Sequence, residues 1–292
     1  MVDPDYATRF SDFAVPSARA RARNIALSLL AGTRLRTRAY RELLQTPRVH
    51  FLYLHYVFQD EEAGFERLLE WLGDNNHTLL SYSDAVKRAE SGEIDRPYVC
   101  FSFDDGVDNC LKAAAILKAH GASACFFLNG CNLGEEHVIK PMLYTYRQPG
   151  RKPARYLSLG EVEQLKNAGH EIGGHTYHHL NLAEASDDEI DQDLQRNRAF
   201  LEPRFGPLHH FAWPFGRFAC FSQAARRRVL QAGYTSIASA ERGVHRAPGG
   251  PGLCILRDNI VAAWPLSHAR YLMAQSVARS SITPPSWDHL PT

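Results

Sequence analysis

Tyr98-Val99-Cys100-Phe101-Ser102-Phe103-Asp104-Asp105-Gly106 is the stretch whose reading decides the architecture. Its first six residues form a short, buried, β-forming run, and that run discharges into two carboxylates and a glycine. Working outward, residues 109–120 read as a helix stopped by Gly121, and residues 122–128 as the next strand. Upstream, residues 49–57 form an earlier strand, followed by Phe65, Leu68, Leu69 and Leu72 at helical spacing. Downstream, Ser158 with Glu161 three residues later marks a capping box. That helix ends at Gly169, and Glu171-Ile172-Gly173-Gly174 leads as a strand into His175. Helices over 187–202, 222–232 and 267–278 then alternate with strands over 209–213, 235–238 and 253–260. Strands separated by helices imply parallel βαβ units, hence a helix-covered sheet or a closed barrel. Sites in both architectures are built beyond the carboxyl ends of the strands, where Asp104, His175 and Pro214 fall.

Size and charge narrow the class. The chain has 292 residues, 45% hydrophobic and 22% charged, enough for one large α/β domain. A formal net charge of +1 points to no nucleic acid or acidic polymer as partner. The basic charge is concentrated at Arg19, Arg21, Arg23, Arg34, Arg36, Arg38, Arg41 and Arg48, around the apolar run Ile25 to Ala31. That run is too short to span a bilayer, which needs about 20 apolar residues. It reads as an amphipathic helix that either packs on the domain or rests on an anionic membrane surface. The expected organisation is a basic helical segment over 1–48, the catalytic-type domain over 49–280 and an irregular tail over 281–292. The six cysteines show no CxxC pair, and the early sequence does not read as an export signal. Both readings suggest reduced thiols and a cytoplasmic address.

Three segments could carry chemistry. Asp104 and Asp105 leave a buried strand in sequence, so their side chains diverge; one can hold a metal while the other handles protons. The bland alternative is an Asp-Asp-Gly turn. In His175-Thr176-Tyr177-His178-His179, residues four apart on a helical turn would share a face, so His175 and His179 could hold one cation. The alternative is a histidine-rich surface turn. In Phe211-Ala212-Trp213-Pro214-Phe215-Gly216, a strand ending in Pro and Gly could present amide donors to an oxyanion.

Together these segments resemble the polysaccharide deacetylases with a NodB-homology domain, carbohydrate esterase family four. Phe103-Asp104-Asp105-Gly106 is similar to the motif (T/S)FDDG, and His175-Thr176 with His179 to H(S/T)xxH. Ala168 to Gly174 resembles the stretch before that second motif, and the likeness covers residues 49–260. The resemblance implies a distorted parallel (β/α)7-type barrel and metal-dependent removal of acyl groups from glycans. It makes Asp105, His175 and His179 the ligands of a divalent metal, zinc foremost, with Co2+, Ni2+ or Mn2+ as alternatives. Asp104 would be the general base for attack of water on the acyl carbonyl. Phe215, flanked by Trp213 and Pro214, would supply an oxyanion amide and substrate contacts.

The chain departs from the family in two places. Ala212 stands where many members have an arginine that pairs with the base; the variant resembles the F-x-Y-P-F/Y-G branch, which includes deacetylases of biofilm glycans. Arg257 could restore that charge, or form a surface ion pair with Asp258. The general acid is open: His55, after the first strand, His268 in Leu266-Ser267-His268, or neither. The expected substrate is an N-acylated amino-sugar glycan or a lipid- or nucleotide-linked precursor. The alternatives are a cyclic-amide hydrolase on the same barrel and a catalytically silent glycan binder.

Overall fold

The computed structural model describes residues 6–134, 150–280 and 287–291. Three helices come first: α1 (Phe10–Phe13), α2 (Ala18–Arg34) and α3 (Arg38–Gln45). There follow β1 (Arg48–Leu54), α4 (Glu62–Asp74), β2 (Thr78–Leu79), α5 (Tyr82–Ser91), β3 (Pro97–Asp104) and α6 (Cys110–Ala119). Next come β4 (Ala124–Leu128), α7 (Leu159–Asn167), β5 (Glu171–Gly174), α8 (Asp187–Phe205) and β6 (His210–Ala212). The last elements are α9 (Gln223–Gln231), β7 (Ser236–Ala238), β8 (Cys254–Ile255), β9 (Arg257–Asn259) and α10 (Leu266–Arg279).

The strands run β8-β7-β6-β5-β4-β3-β1-β9, with β2 added on β3, and the pairings are parallel. β8 and β9, the two ends of this order, are parted by one residue, Leu256, whose amide leaves the ladder for His245 Nε2 at 3.2 Å. The expected single strand over 253–260 is therefore two. One half pairs with β7 and the other with β1, because this segment must turn the last corner of the barrel. Counted as one stave, β8 and β9 give a nearly closed ring of seven, the distorted (β/α) barrel expected above.

Strand alternation builds two cores. Val49, Phe51, Cys100, Cys125, Phe127, Ala212, Ala238 and Ile255 meet in the barrel interior, where α5 adds Tyr82, Ala85, Val86 and Ala89 as a plug. Leu52, Leu54, Phe101, Phe103 and Phe126 point the other way, into the layer under the helices. With both faces buried, the strands read as continuous apolar runs rather than alternating ones. The same period of two carries Ser102 and Asp104 to the interior side occupied by Cys100.

α5 escaped the sequence reading although Tyr82, Ala85, Val86 and Ala89 show helical spacing and Ser81 caps the helix, accepting from Asp84 N at 3.1 Å. α8 runs past the expected end through Pro203 to Phe205. The basic segment is one long helix, α2, between two short ones, and α2 and α3 both pack on α10. Of the tail, residues 281–286 and 292 lie outside the described residues. Trp287 docks against Trp213 and Phe221 and donates Nε1–H to Gly252 O at 2.9 Å.

Candidate metal centre

At the carboxyl end of the barrel a cavity of about 100 Å3 is lined by Tyr53, His55, Asp104, Asp105, His175, His179, Trp213, Phe215, Gly216 and Ala240. Asp104 ends β3 and Asp105 follows it; His175 follows β5; Trp213 and Phe215 follow β6; His55 follows β1. Residues from four strand ends thus meet in one place, as parallel barrels arrange their sites.

Asp105 Oδ1 stands 3.3 Å from His175 Nε2 and 3.4 Å from His179 Nε2. Ligands bound at about 2.1 Å to a tetrahedral ion stand about 3.4 Å apart, so the spacing suits one cation. Asp105 Oδ1 is buried and has no hydrogen-bond partner, which a bound cation would supply. His175 Nδ1 lies 2.7 Å from Ala212 O. A carbonyl only accepts, so Nδ1 carries the proton and the Nε2 lone pair faces the centre. Three protein donors leave a coordination position open, the pattern of catalytic rather than structural sites. Burial would push the Asp105 carboxyl up, but His175 and His179 outweigh it and hold the group well below the usual carboxylate range. Burial likewise pushes His175 down, and Asp105 and Asp104 more than offset this, raising it.

The expected helical turn over His175–His179 is not there. Thr176 and His179 adopt left-handed φ values of 61° and 56°, and the loop is held by side chains instead. Asn129 Nδ2 donates to the carbonyls of His175 and, at 3.0 Å, Thr176. Asp193 of α8 accepts from the amides of Tyr177 and, at 3.2 Å, His178, and lies 2.7 Å from His178 Nδ1. His178 is thus turned away from the centre. Of the five non-glycine residues with positive φ among the described residues, four belong to the site segments: Asp105, Thr176, His179 and Phe215. Each such conformation costs roughly 1–3 kcal/mol and persists where surrounding packing over-determines it.

Asp104 is held by Arg257. Arg257 Nη1 and Nη2 donate to Asp104 Oδ1 and Oδ2, both at 2.8 Å, a two-point fork. Nε donates to Ser239 O at 2.6 Å and Nη1 to Ser102 Oγ at 3.1 Å. The guanidinium lies over the rings of Tyr53 and Phe127, 4.6 and 5.2 Å from their centroids. Burial alone would lower its pKa, but Asp104 outweighs it and raises it. The other reading of Arg257, a surface pair with Asp258, is overturned: both residues are buried and face opposite ways from β9. Asp258 instead meets His50 Nε2 at 3.0 Å, under α10.

His55 lines the cavity, and its charge contributes to lowering Asp105. His268 does not line it; it is buried on α10 with Nε2 2.8 Å from Ser28 Oγ of α2, which removes it as a candidate acid. Phe215 is 52% exposed and stands edge-on to His179, with ring centroids 4.8 Å apart. Trp213 is fixed by stacking on Phe221 and by donating Nε1–H to Arg217 O at 3.0 Å. Pro214 is buried and is not part of the cavity wall. The sequence reading missed Tyr53, Ser102 and Ser239. Alternation from Cys100 could have found Ser102; nothing local marks Ser239. A cleft of about 240 Å3 shares Tyr53 and His55 with the site and continues along Tyr56, Asn259, Ile260 and Val261.

Fold and site together define a parallel α/β barrel with a candidate cation site at its carboxyl rim. The chain belongs to the polysaccharide deacetylase family, whose profile matches residues 91–237. It is 30% identical over 139 residues to a peptidoglycan-N-acetylglucosamine deacetylase of Bacillus cereus, covering 47% of this chain and 42% of that one. It is 29% identical over 125 residues to a chitooligosaccharide deacetylase of Azorhizobium caulinodans, covering 41% and 49%. Across these and two further curated relatives the matches span 42% to 66% of the relatives' own length. The structure of IcaB from Ammonifex degensii superposes with a TM-score of 0.63 at 19% identity, covering 79% of this chain and 98% of that one, and shares its fold. Deacetylases of this family are generally metal-dependent, in keeping with the Asp105, His175 and His179 cluster.

Proposed function

We propose that this chain hydrolyses the amide of an N-acylated amino sugar in a glycan or glycan precursor, releasing a carboxylate and a free amine. The observation that carries the reading is the coexistence of two devices in one cavity: a cation-ready Asp105–His175–His179 set and a carboxylate, Asp104, clamped by Arg257. Asp105, His175 and His179 would hold a divalent ion, zinc best suiting two imidazoles and a carboxylate, which when bound polarises the acyl carbonyl and acidifies water. Asp104 takes the proton of the attacking water, and the Arg257 fork holds it oriented for that transfer. The Phe215 amide serves the developing oxyanion, and His55 returns a proton to the departing amine. Phe215, half exposed at the rim, forms an aromatic wall for the sugar, backed by the buried Trp213, and the sugar's neighbours extend along the cleft toward Val261. The names of the curated relatives, which concern peptidoglycan N-acetylglucosamine and chitooligosaccharides, support this substrate class.

The finer reading is a lipid- or nucleotide-linked precursor met at an inner membrane face. The basic helices favour it, and the buried thiols Cys100, Cys110, Cys125 and Cys254 suit a reducing compartment. Fractionation of the native host with an antibody tests the location; recovery only from periplasmic or culture-medium fractions contradicts it.

The test of the chemistry is acetate release from N-acetylglucosamine oligomers, with cyclic imides as a parallel substrate panel. Chelation should abolish release and zinc restore it. Asp104→Asn should lower kcat by roughly 10²–10⁴-fold, the usual worth of a positioned general base. Full activity in metal-stripped protein would end the metal mechanism.

A further inference from the structure

The outward face of α2 takes no part in the centre and carries different chemistry. We propose that α2 lies in the surface of an anionic bilayer and brings the mouth of the cleft to it. The inference deepens the peripheral contact read above and rests on it, but not on the hydrolytic step.

α2 packs toward α10 through Ala20, Asn24, Leu27 and Ala31, one stripe of small or half-buried residues. The opposite arc leaves Ile25 and Leu29 65% and 68% exposed, with Ala18 between them and Ala22 beside Leu29 in projection; Leu30, 42% exposed, lies farther round, between Arg19 and Arg23. Single exposed aliphatic residues are ordinary; a continuous arc along one helix is not. Arg21 borders this arc on one side and Arg19, Arg23 and Arg34 on the other, all exposed. Ala18–Arg34 contains no carboxylate. An apolar arc edged by guanidinium groups is the build of a helix lying in the plane of an interface, its aliphatic side chains in the acyl boundary and its arginines on phosphates. The unrelieved positive charge complements a surface of fixed negative charge, which singles out anionic lipid. Among the described residues no helix is long and apolar enough to cross a membrane, so the contact is peripheral.

The helix is also tied to the cleft. Just before it, Phe10 and Phe13 pack on Tyr56 of the cleft wall, with ring centroids 6.1 and 6.0 Å away. Within it, Arg23 lies 5.9 Å from the ring of Trp264, three residues beyond Val261 of the same wall. A bilayer that seats α2 therefore stands beside the cleft, where an amino sugar carried on a lipid would be presented.

The experiment is sedimentation of the full chain with vesicles of phosphatidylcholine, alone or with about 30 mol % phosphatidylglycerol. Binding to the anionic vesicles should be about tenfold stronger or more and should weaken as salt rises. The double variant Ile25→Ser/Leu29→Ser should lose about tenfold in vesicle binding at unchanged melting temperature, since both side chains are exposed. The triple variant Arg19→Gln/Arg21→Gln/Arg23→Gln should lose the preference for anionic lipid. Turnover of a soluble oligosaccharide should be unaffected in both variants, which separates failure of docking from failure of the hydrolase reading. Wild-type protein left in the supernatant, or a serine variant that binds as well as wild type, would overturn the proposal. So would a dimer seen by light scattering that the serine variant disperses, because the arc would then belong to a second copy of the chain.

Discussion

Asp104 and Arg257 lie 153 positions apart in the chain and meet by a two-point fork inside the barrel. Asp104 stands at the end of β3 and Arg257 at the start of β9, so the pair exists only once the barrel has turned its last corner. Ala212 at the end of β6 offers only a methyl group, so the charge that holds Asp104 arrives from β9. The guanidinium is spent on Asp104, Ser102 and Ser239 together, a geometry that an ammonium cannot copy. Arg257→Lys is therefore expected to fold but to lose roughly 10- to 100-fold in kcat, because Asp104 keeps a cation without a fixed orientation. Arg257→Ala should cost more, about 3–5 kcal/mol of stability, since it strands a buried carboxylate. Steady-state kinetics and denaturant melts of the two variants check this. A lysine variant with wild-type kcat would show that the fork does not position the base.

At the level of elements, the histidine loop is governed by α8 rather than by its own backbone preference. Thr176 and His179 sit at positive φ, and the amides of Tyr177 and His178 are tied to Asp193 on α8. β5 fits closely below the loop: a Cβ on Gly174 would stand 2.2 Å from the Tyr234 hydroxyl. The ligands are thus aimed by a helix that contributes no ligand. Asp193→Ala should leave the barrel folded yet lower metal affinity about 10- to 100-fold, the usual effect of removing an outer support of metal-bound histidines. Calorimetric titration of the metal-stripped variant with zinc measures it, and unchanged affinity would mean that the loop holds its shape unaided.

The whole molecule carries an acid sensitivity away from the site. Burial pushes His245 down to about 3 and, with Arg48 adding to it, His77 down to about 4. Unfolded, both titrate near 6.5. Below about pH 6.5 the unfolded chain holds protons that the folded one refuses, so stability falls with pH by up to about 1.4 kcal/mol per unit per histidine. The loss continues down to the folded values. His245 accepts from the amide of Leu256, where the last stave breaks, so its protonation strikes the barrel's closure. The melting temperature should fall between about pH 7 and pH 5, and should fall less in His245→Gln. Equal slopes for both proteins would place the sensitivity elsewhere.

Read alone, the sequence determined the alternation of strand and helix, a parallel sheet or barrel between which only the family resemblance chose, and the candidates Asp104, Asp105, His175 and His179. Each is written in local pattern: apolar runs ending in carboxylates, a capping box at Ser158, two histidines four apart. Only the tertiary structure decided that Arg257 pairs with Asp104 rather than Asp258, that His268 belongs to the α2–α10 contact, and that residues 253–260 form two half-staves. It also turned the arc of Ile25 and Leu29 outward. The reason is physical: pairing partners, facing directions and barrel closure depend on residues more than a hundred positions away, and no local period records them.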